Sequence, residues 1–328
     1  MAITRREFTV RSGLALAAAA APVVSFGADF PDKPVRFVVP FAASGNVDLM
    51  ARLVGPDMAQ TLGQPVVIEN KTGAGGSIGG DAVARAPADG YVLLLGSNGP
   101  LTVNPFVQSN MPYDPLKDLT AVGMIGYAPH ALTVNNDIPA RTLQELVKLS
   151  KTRPINTGTA GVGSATHLTL QRLNTAAGAN FVHVPYRGGG AVTADLMGGT
   201  LDAAMTEFST VLPLHKAGKV RIIAIAADHR SPLTPDVATM NEGGVKDFLA
   251  ASYVGVLAPA GTPAPVIATL QQALAKSLAN AGTADKIRAT GGEVAPAGLQ
   301  TAEGFNLFLK EEYQRSKEAA RLAGIKPE

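Results

Sequence analysis

Two short loops carry the residues with the most chemical potential in this chain of 328 residues. The first, Phe41–Asp48, holds Phe41, Ser44, Gly45, Asn46 and Asp48 between an apolar run and a helix-patterned stretch. The second, Thr159–His167, holds Thr159, Gly163, Ser164 and His167 in the same setting. Each joins a strand to a helix N-terminus. There the first backbone N–H groups lack partners and the helix dipole favours an anion. Gly and Ala keep both loops thin enough for a ligand to approach the backbone. Facing each other across a cleft, they could grip a carboxylate without an arginine. Asp48 would repel such a ligand, so its expected task is to hold loop N–H groups from the first helical turn. His167 lies three residues after Ser164, within reach of the loop as a cap.

Other chemistries have weaker support. Gly75-Gly76-Ser77-Ile78-Gly79 fits the G-x-S-x-G pattern of a hydrolase with Ser77 as nucleophile, but the preceding strand ends near Glu69, not directly at the turn. Gly73-Ala74-Gly75 opens a G-x-G-x-x-G pattern, and Ile78 occupies the third glycine's place. Cysteine is absent, which excludes disulfides and thiolate metal sites. The histidines His130, His167, His183, His215 and His229 fall at no metal-ligand spacing, so no metal or cofactor is expected. A net charge of +2 with no basic block argues against nucleic acid.

The elements that must position these loops read as alternating strands and helices. Val35–Pro40, Pro65–Glu69 and Tyr91–Gly96 are short apolar runs, with helical spacing from Leu49 to Leu62 and from the Gly73–Gly76 loop to Arg85. Such a β-α-β-α-β series predicts a parallel sheet. The middle repeats the pattern: strands at His130–Val134, Ile155–Thr157, Phe181–Val184, Asp202–Met205 and Val220–Ala226, and helices at Thr142–Lys151, Ser164–Ala177 and Ala191–Met197. Val254–Leu257 is a further strand, followed by helices over Pro265–Ala281 and Ala302–Ala323. Two alternating blocks predict an α/β protein of two lobes, each a mainly parallel sheet flanked by helices. Chain crossings near Tyr127–Pro129 and Ser252–Gly255 would divide it into 28–128 plus 255–328 and 129–254. A ligand would sit between the lobes at the carboxyl ends of the strands. Ser97 and Asn98, at the end of the third strand, stand on that side. Tyr186 and Arg187 would line the cleft mouth, and Glu207 follows a strand into it.

Residues 1–28 form a separate unit of meaning. Arg5 and Arg6, the Ala-rich stretch Leu14–Val24 and the small residues Ser25-Phe26-Gly27-Ala28 make a cleavable export signal. Thr4-Arg5-Arg6-Glu7-Phe8 also has the twin-arginine arrangement, and an ordinary secretory signal containing Arg-Arg is the alternative. The expected location is the periplasm.

Several longer motifs carry a resemblance: Val39–Phe41 with Asp48 and Arg52, Leu62–Gly79, Ala88–Tyr91, Gly161–Leu168, Val184–Gly188, Gly198-Gly199 with Asp202, and Ala258–Pro263, all in order. The chain resembles the Bug-type, TctC-like periplasmic receptors of the tripartite tricarboxylate transporters. That resemblance implies a type II periplasmic-binding-protein fold. It further implies capture of a small carboxylate by lobe closure, delivery to the membrane subunits of such a transporter, action as a monomer, and no enzyme activity. A receptor that serves a sensor system would use the same closed form. The family's first loop usually has Gly-Gly and a small polar residue before the Asp, whereas this chain has Ser44-Gly45 and Val47; Pro235–Glu242 is also loosened. These departures bear on the ligand, not on the fold.

Overall fold

The computed structural model describes residues 30–322, so the export signal lies outside the described residues. From the N-terminus, β1 (Val35–Val39) leads into α1 (Asn46–Leu62), β2 (Val66–Asn70), α2 (Ser77–Ala84) and β3 (Val92–Ser97). A wide helical turn, Gly99–Val103, and α3 (Asn104–Val107) precede the long strand β4 (Leu119–Val134). Then come α4 (Leu143–Ser150), β5 (Ile155–Thr159), α5 (Ala165–Ala177), β6 (Phe181–Pro185) and α6 (Gly189–Met197). They are followed by β7 (Ala203–Glu207), α7 (Phe208–Lys216), β8 (Arg221–Ile225), β9 (Ala238–Thr239) and β10 (Ala251–Pro259). The chain closes with α8 (Ala264–Ala279), α9 (Ala281–Ala289), β11 (Glu293–Val294) and α10 (Ala302–Leu322).

Local chemistry explains most of these boundaries. Val35, Phe37, Val38 and Val39 are all buried, as expected of a strand covered on both faces. Gly63 stops α1 in the left-handed conformation, at φ 68°. Thr142 and Glu145 form a reciprocal capping box on α4. The helix expected over Pro265–Ala281 is α8, Ala264–Ala279, and Asn280 then accepts from the Gly282 N–H and starts a further helix, α9.

The strands follow the order β2-β1-β3-β10-β4-β7-β5-β6 among the described residues. β1 pairs in parallel with β2 and β3, and β5 in parallel with β6 and β7. β4 and β10 run antiparallel to each other along Leu119–Pro129 and Ala251–Pro259 and join the two parallel groups. The first half of β4 belongs to one ladder; its second half, His130–Val134, pairs with β7 and β8. Each ladder has its own core. Val38, Leu94, Leu257 and Phe305 pack in one, and Leu132, Ile155, Leu173, Met205 and Phe248 in the other.

Sequence periodicity picked out only the second half of β4. Gly123 and Gly126 interrupt the apolar run of the first half, and the fold needs them. A methyl group at Gly123 would overlap the carbonyl oxygen of Gln300 and one at Gly126 that of Glu293, in β11, which pairs antiparallel with β4. α7 was also not expected, because Pro213 breaks its pattern.

Candidate functional site

The N-termini of α1 and α6 face each other across the two ladders. α1 begins after Gly45 and α6 after Gly188, and neither glycine offers a side chain to cap the first N–H groups. The approach is close enough to demand glycine. The Ala42 N–H donates to the Arg187 carbonyl at 2.9 Å. A methyl at Gly190 would overlap the Ala43 carbonyl oxygen, and one at Gly45 would lie 3.3 Å from the Gly190 nitrogen. Gly188 adopts φ 131°, a conformation open to glycine, with its Cβ position 2.7 Å from the Ala42 nitrogen. The start of α7 joins them: Ser209 donates to Asn46 Oδ1 at 2.9 Å.

Two polar atoms at this junction have no partner among the described residues: Asn46 Nδ2 and Thr210 Oγ1, on residues 2% and 6% exposed. Glu207 Oε2 and Thr210 Oγ1 lie 3.2 and 3.6 Å from the Cβ position of Gly189. Glu207 is buried at the last position of β7, which is also the N-cap of α7, and burial pushes its carboxyl above the usual range. Its Oε1 accepts from Ser252 at 2.9 Å. Ser252 bonds His130 Nε2 at 2.8 Å, and His130 Nδ1 bonds Thr169 at 2.8 Å. Burial pushes His130 down to about 3, so this buried chain of bonds is made by a neutral imidazole.

The other residues picked out from the sequence take different positions. Ser44 stands at φ 64° and its N–H donates to Asp48 Oδ2 at 2.9 Å. Asp48 also accepts from Arg52 and Asn70. Burial alone would raise its carboxyl, but the bonds from Arg52, Ser44 and Asn70 outweigh it and hold the group below its ordinary value. Asp48 thus braces the loop from below. In the second loop, Ser164 Oγ accepts from the His167 N–H at 3.2 Å and donates to the Gly161 carbonyl at 2.7 Å. His167 Nδ1 accepts from the Gly163 N–H at 3.3 Å, and its ring stacks on His183 at 3.9 Å. Thr159 Oγ1 is bonded to His183 Nε2 at 2.7 Å. Ser97 is buried at the end of β3, paired with Val254. Asn98 ties β10, donating to the Ala251 carbonyl and accepting from the Tyr253 N–H.

Phe41 and Tyr186 line a cavity of about 510 Å³ between the loops, with Thr72–Gly76, Ile78, Ala160–Val162, Pro185 and Arg187. Its size lies in the range of small-molecule sites, about 300–1,000 Å³. Ser77, the candidate nucleophile, bonds amides instead of an imidazole: it donates to Gln108 and accepts from Asn104 Nδ2 at 2.7 Å. Asn104 was not singled out from the sequence. It holds the Gly-rich loop through the Ala74 and Gly75 carbonyls, close to Gly163 of the opposite ladder. Gly188–Gly190 and Thr210 were missed as well. The three consecutive glycines ahead of a helical pattern were the available signal for the first; nothing marked Thr210.

The comparisons with known proteins agree with this architecture. The model for the tripartite tricarboxylate transporter family receptor matches residues 50–324. Protein BugT of Bordetella pertussis is 35% identical, with 99% of each chain covered. The solved structure of the periplasmic binding protein BugD is 34% identical, covers 91% of this chain and 100% of that one, and superposes with a TM-score of 0.88. MatC from Rhodopseudomonas palustris, solved with bound malate, is 31% identical over 89% of this chain and all of its own, with a TM-score of 0.85. The chain has the two-lobed periplasmic-binding-protein fold, and it belongs to the Bug-type receptor family of the tripartite tricarboxylate transporters.

Proposed function

We propose that the chain is a non-enzymatic periplasmic receptor that grips a carboxylate between the N-termini of α1 and α6. Lobes 28–128 plus 255–328 and 129–254 then close on the ligand, and the closed form is presented to the membrane subunits of a tripartite tricarboxylate-type transporter. The export signal over residues 1–28 delivers the chain to the periplasm. The observation that carries this reading is the pairing of two glycine-capped helix N-termini with the unpartnered Asn46 Nδ2 and Thr210 Oγ1. Helix N-termini hold partial positive charge, and their free N–H groups suit carboxylate oxygens. A buried donor without a partner costs about 1–3 kcal/mol, a cost that an accepting ligand removes. The malate bound to MatC supports the ligand class. Phe41 and Tyr186 form walls of the site, Ser44, Gly45 and Asn46 supply its first edge, and Asp48 positions that edge. Closure requires a ligand that binds the closed state better than the open one.

Calorimetric titration of the mature protein with malate and with its neutral diamide tests the reading. The acid is expected to bind and the diamide to fail. Thr210→Val, which keeps the shape and removes the unpartnered hydroxyl, is expected to leave the ligand-free melting temperature unchanged or higher and to weaken malate about tenfold, or about 1.4 kcal/mol. Equal binding of acid and diamide would refute a carboxylate grip.

A further inference from the structure

We infer that the cavity beside the carboxylate grip selects a ligand with an apolar body, an aryl or alkyl carboxylate rather than a hydroxylated polycarboxylate. The inference rests on the carboxylate grip proposed above and names what the remainder of the ligand must be. Among the large apolar side chains that the described residues leave exposed, Ile78 and Val162, at 47% and 44%, both lie on this one cavity. They come from opposite sides of the cleft, Ile78 from the first turn of α2 and Val162 from the loop after β5. Exposed apolar surface that converges on a concave site marks a place where something apolar is bound.

The rest of the wall agrees. Phe41 joins the cavity to the grip: it lines the cavity, and its Cβ lies 3.1 Å from the Cβ position of Gly188 at the start of α6. Tyr186 turns its hydroxyl to Asp195 at 2.5 Å, which leaves the ring as the surface it offers. The Cδ1 of Ile78 lies over Gly73, 2.5 Å from the Cβ position that this glycine leaves empty. Thr72 and Arg187 are the other polar side chains on the cavity. Beyond the backbone of Gly73–Gly76 and Ala160–Val162, a ligand with several hydroxyl or carboxyl groups finds few side-chain partners there, and polar groups left unpartnered oppose binding. Arg187 is exposed at the mouth, where an attraction to a second carboxylate is weakened by water and salt. Its planar guanidinium can instead lie over an aromatic face.

The test titrates the mature protein, Ile78→Asn and Val162→Asn with phenylacetate and hexanoate as apolar probes and with malate and citrate as hydroxylated ones. Both substituted side chains are about half exposed, so the melting temperature serves as the check that the fold is kept. At least one apolar probe is expected to bind the unsubstituted protein ten times more tightly than malate or citrate. Each substitution is expected to weaken that probe at least tenfold and to leave malate within twofold. Malate or citrate binding as tightly as both apolar probes, or substitutions that leave the apolar probes unchanged, would overturn the inference while the carboxylate grip stands. Failure of all four acids to bind would instead reject the grip itself.

Discussion

The two loops that looked alike in sequence differ in what they leave unused. Thr159–His167 closes on itself: Ser164 caps α5, His167 receives the Gly163 N–H, and Thr159 and His167 both engage His183. In Phe41–Asp48 the N-cap of α1 is Gly45, which has no side chain to cap with, and Asn46 Nδ2 lacks a partner among the described residues. The reason lies in the capping residue. Serine is favoured at N-caps because it satisfies orphan N–H groups, so a serine-capped helix has spent part of its anion affinity on itself. A glycine cap gives up that stability and keeps the N–H groups available. The element that opposes the first loop in the same unsatisfied state is the start of α6, after Gly188.

The strongest way to break this comparison is to stop the two glycine-capped ends from meeting. Gly190→Ala adds a methyl against the Ala43 carbonyl at a position with ordinary helical backbone. The melting temperature without ligand should change little, since open lobes relieve the clash, while affinity for a bound carboxylate should drop at least a hundredfold, about 2.7 kcal/mol. Calorimetry and small-angle scattering read the two effects separately. Full affinity in Gly190→Ala would mean that the ends need not approach.

A smaller effect sharpens the other side. Burial and the neighbouring His167 push His183 down to about 4 from 6.5. A depressed histidine is neutral in the folded state while the unfolded chain takes up a proton, so its stabilising contribution is complete above pH 6.5 and is lost as pH falls toward 4. One proton gives at most about 1.4 kcal/mol per pH unit, and the partly exposed ring gives less. Stability measured by denaturant between pH 7 and 4 should decline, and His183→Gln should flatten that decline. Asp48 acts in a lower window: its depressed carboxyl keeps its contribution above about 3.8 and loses it only as pH falls below that. An unaltered slope in His183→Gln would show that the second loop's histidine stack is not what titrates.

Much of the fold was legible because its signals are local. The buried run at Val35–Val39, the Gly63 stop and the Thr142 capping box each depend on neighbours within a few residues. What escaped depends on distant backbone. The first half of β4 contains glycines whose purpose appears only when the backbones of Gln300 and Glu293 pack against them. The site divided in the same way. Asp48 could be read as a brace from its place in the first turn, and its bond to the Ser44 N–H has that geometry. Thr210 and Asn104 could not, since their neighbours Gly189 and Gly163 arrive from other segments of the chain. The cap preference that singled out Ser164 identified a helix start, where its hydroxyl takes the His167 N–H.

The most direct measurement compares Asn46→Asp with Ser164→Asp by calorimetric titration of one bound carboxylate such as malate. Both changes put a carboxylate at a helix start: Ser164 is an N-cap, a position Asp suits, and Asn46 is the first residue of α1, where a negative charge favours the helix dipole. At position 46 the Oδ1 that accepts from Ser209 is retained and the free donor becomes a negative charge in the proposed grip. The account predicts a loss of at least tenfold for Asn46→Asp and less than twofold for Ser164→Asp. A larger loss at Ser164, or none at Asn46, would contradict the placement of the anion between α1 and α6.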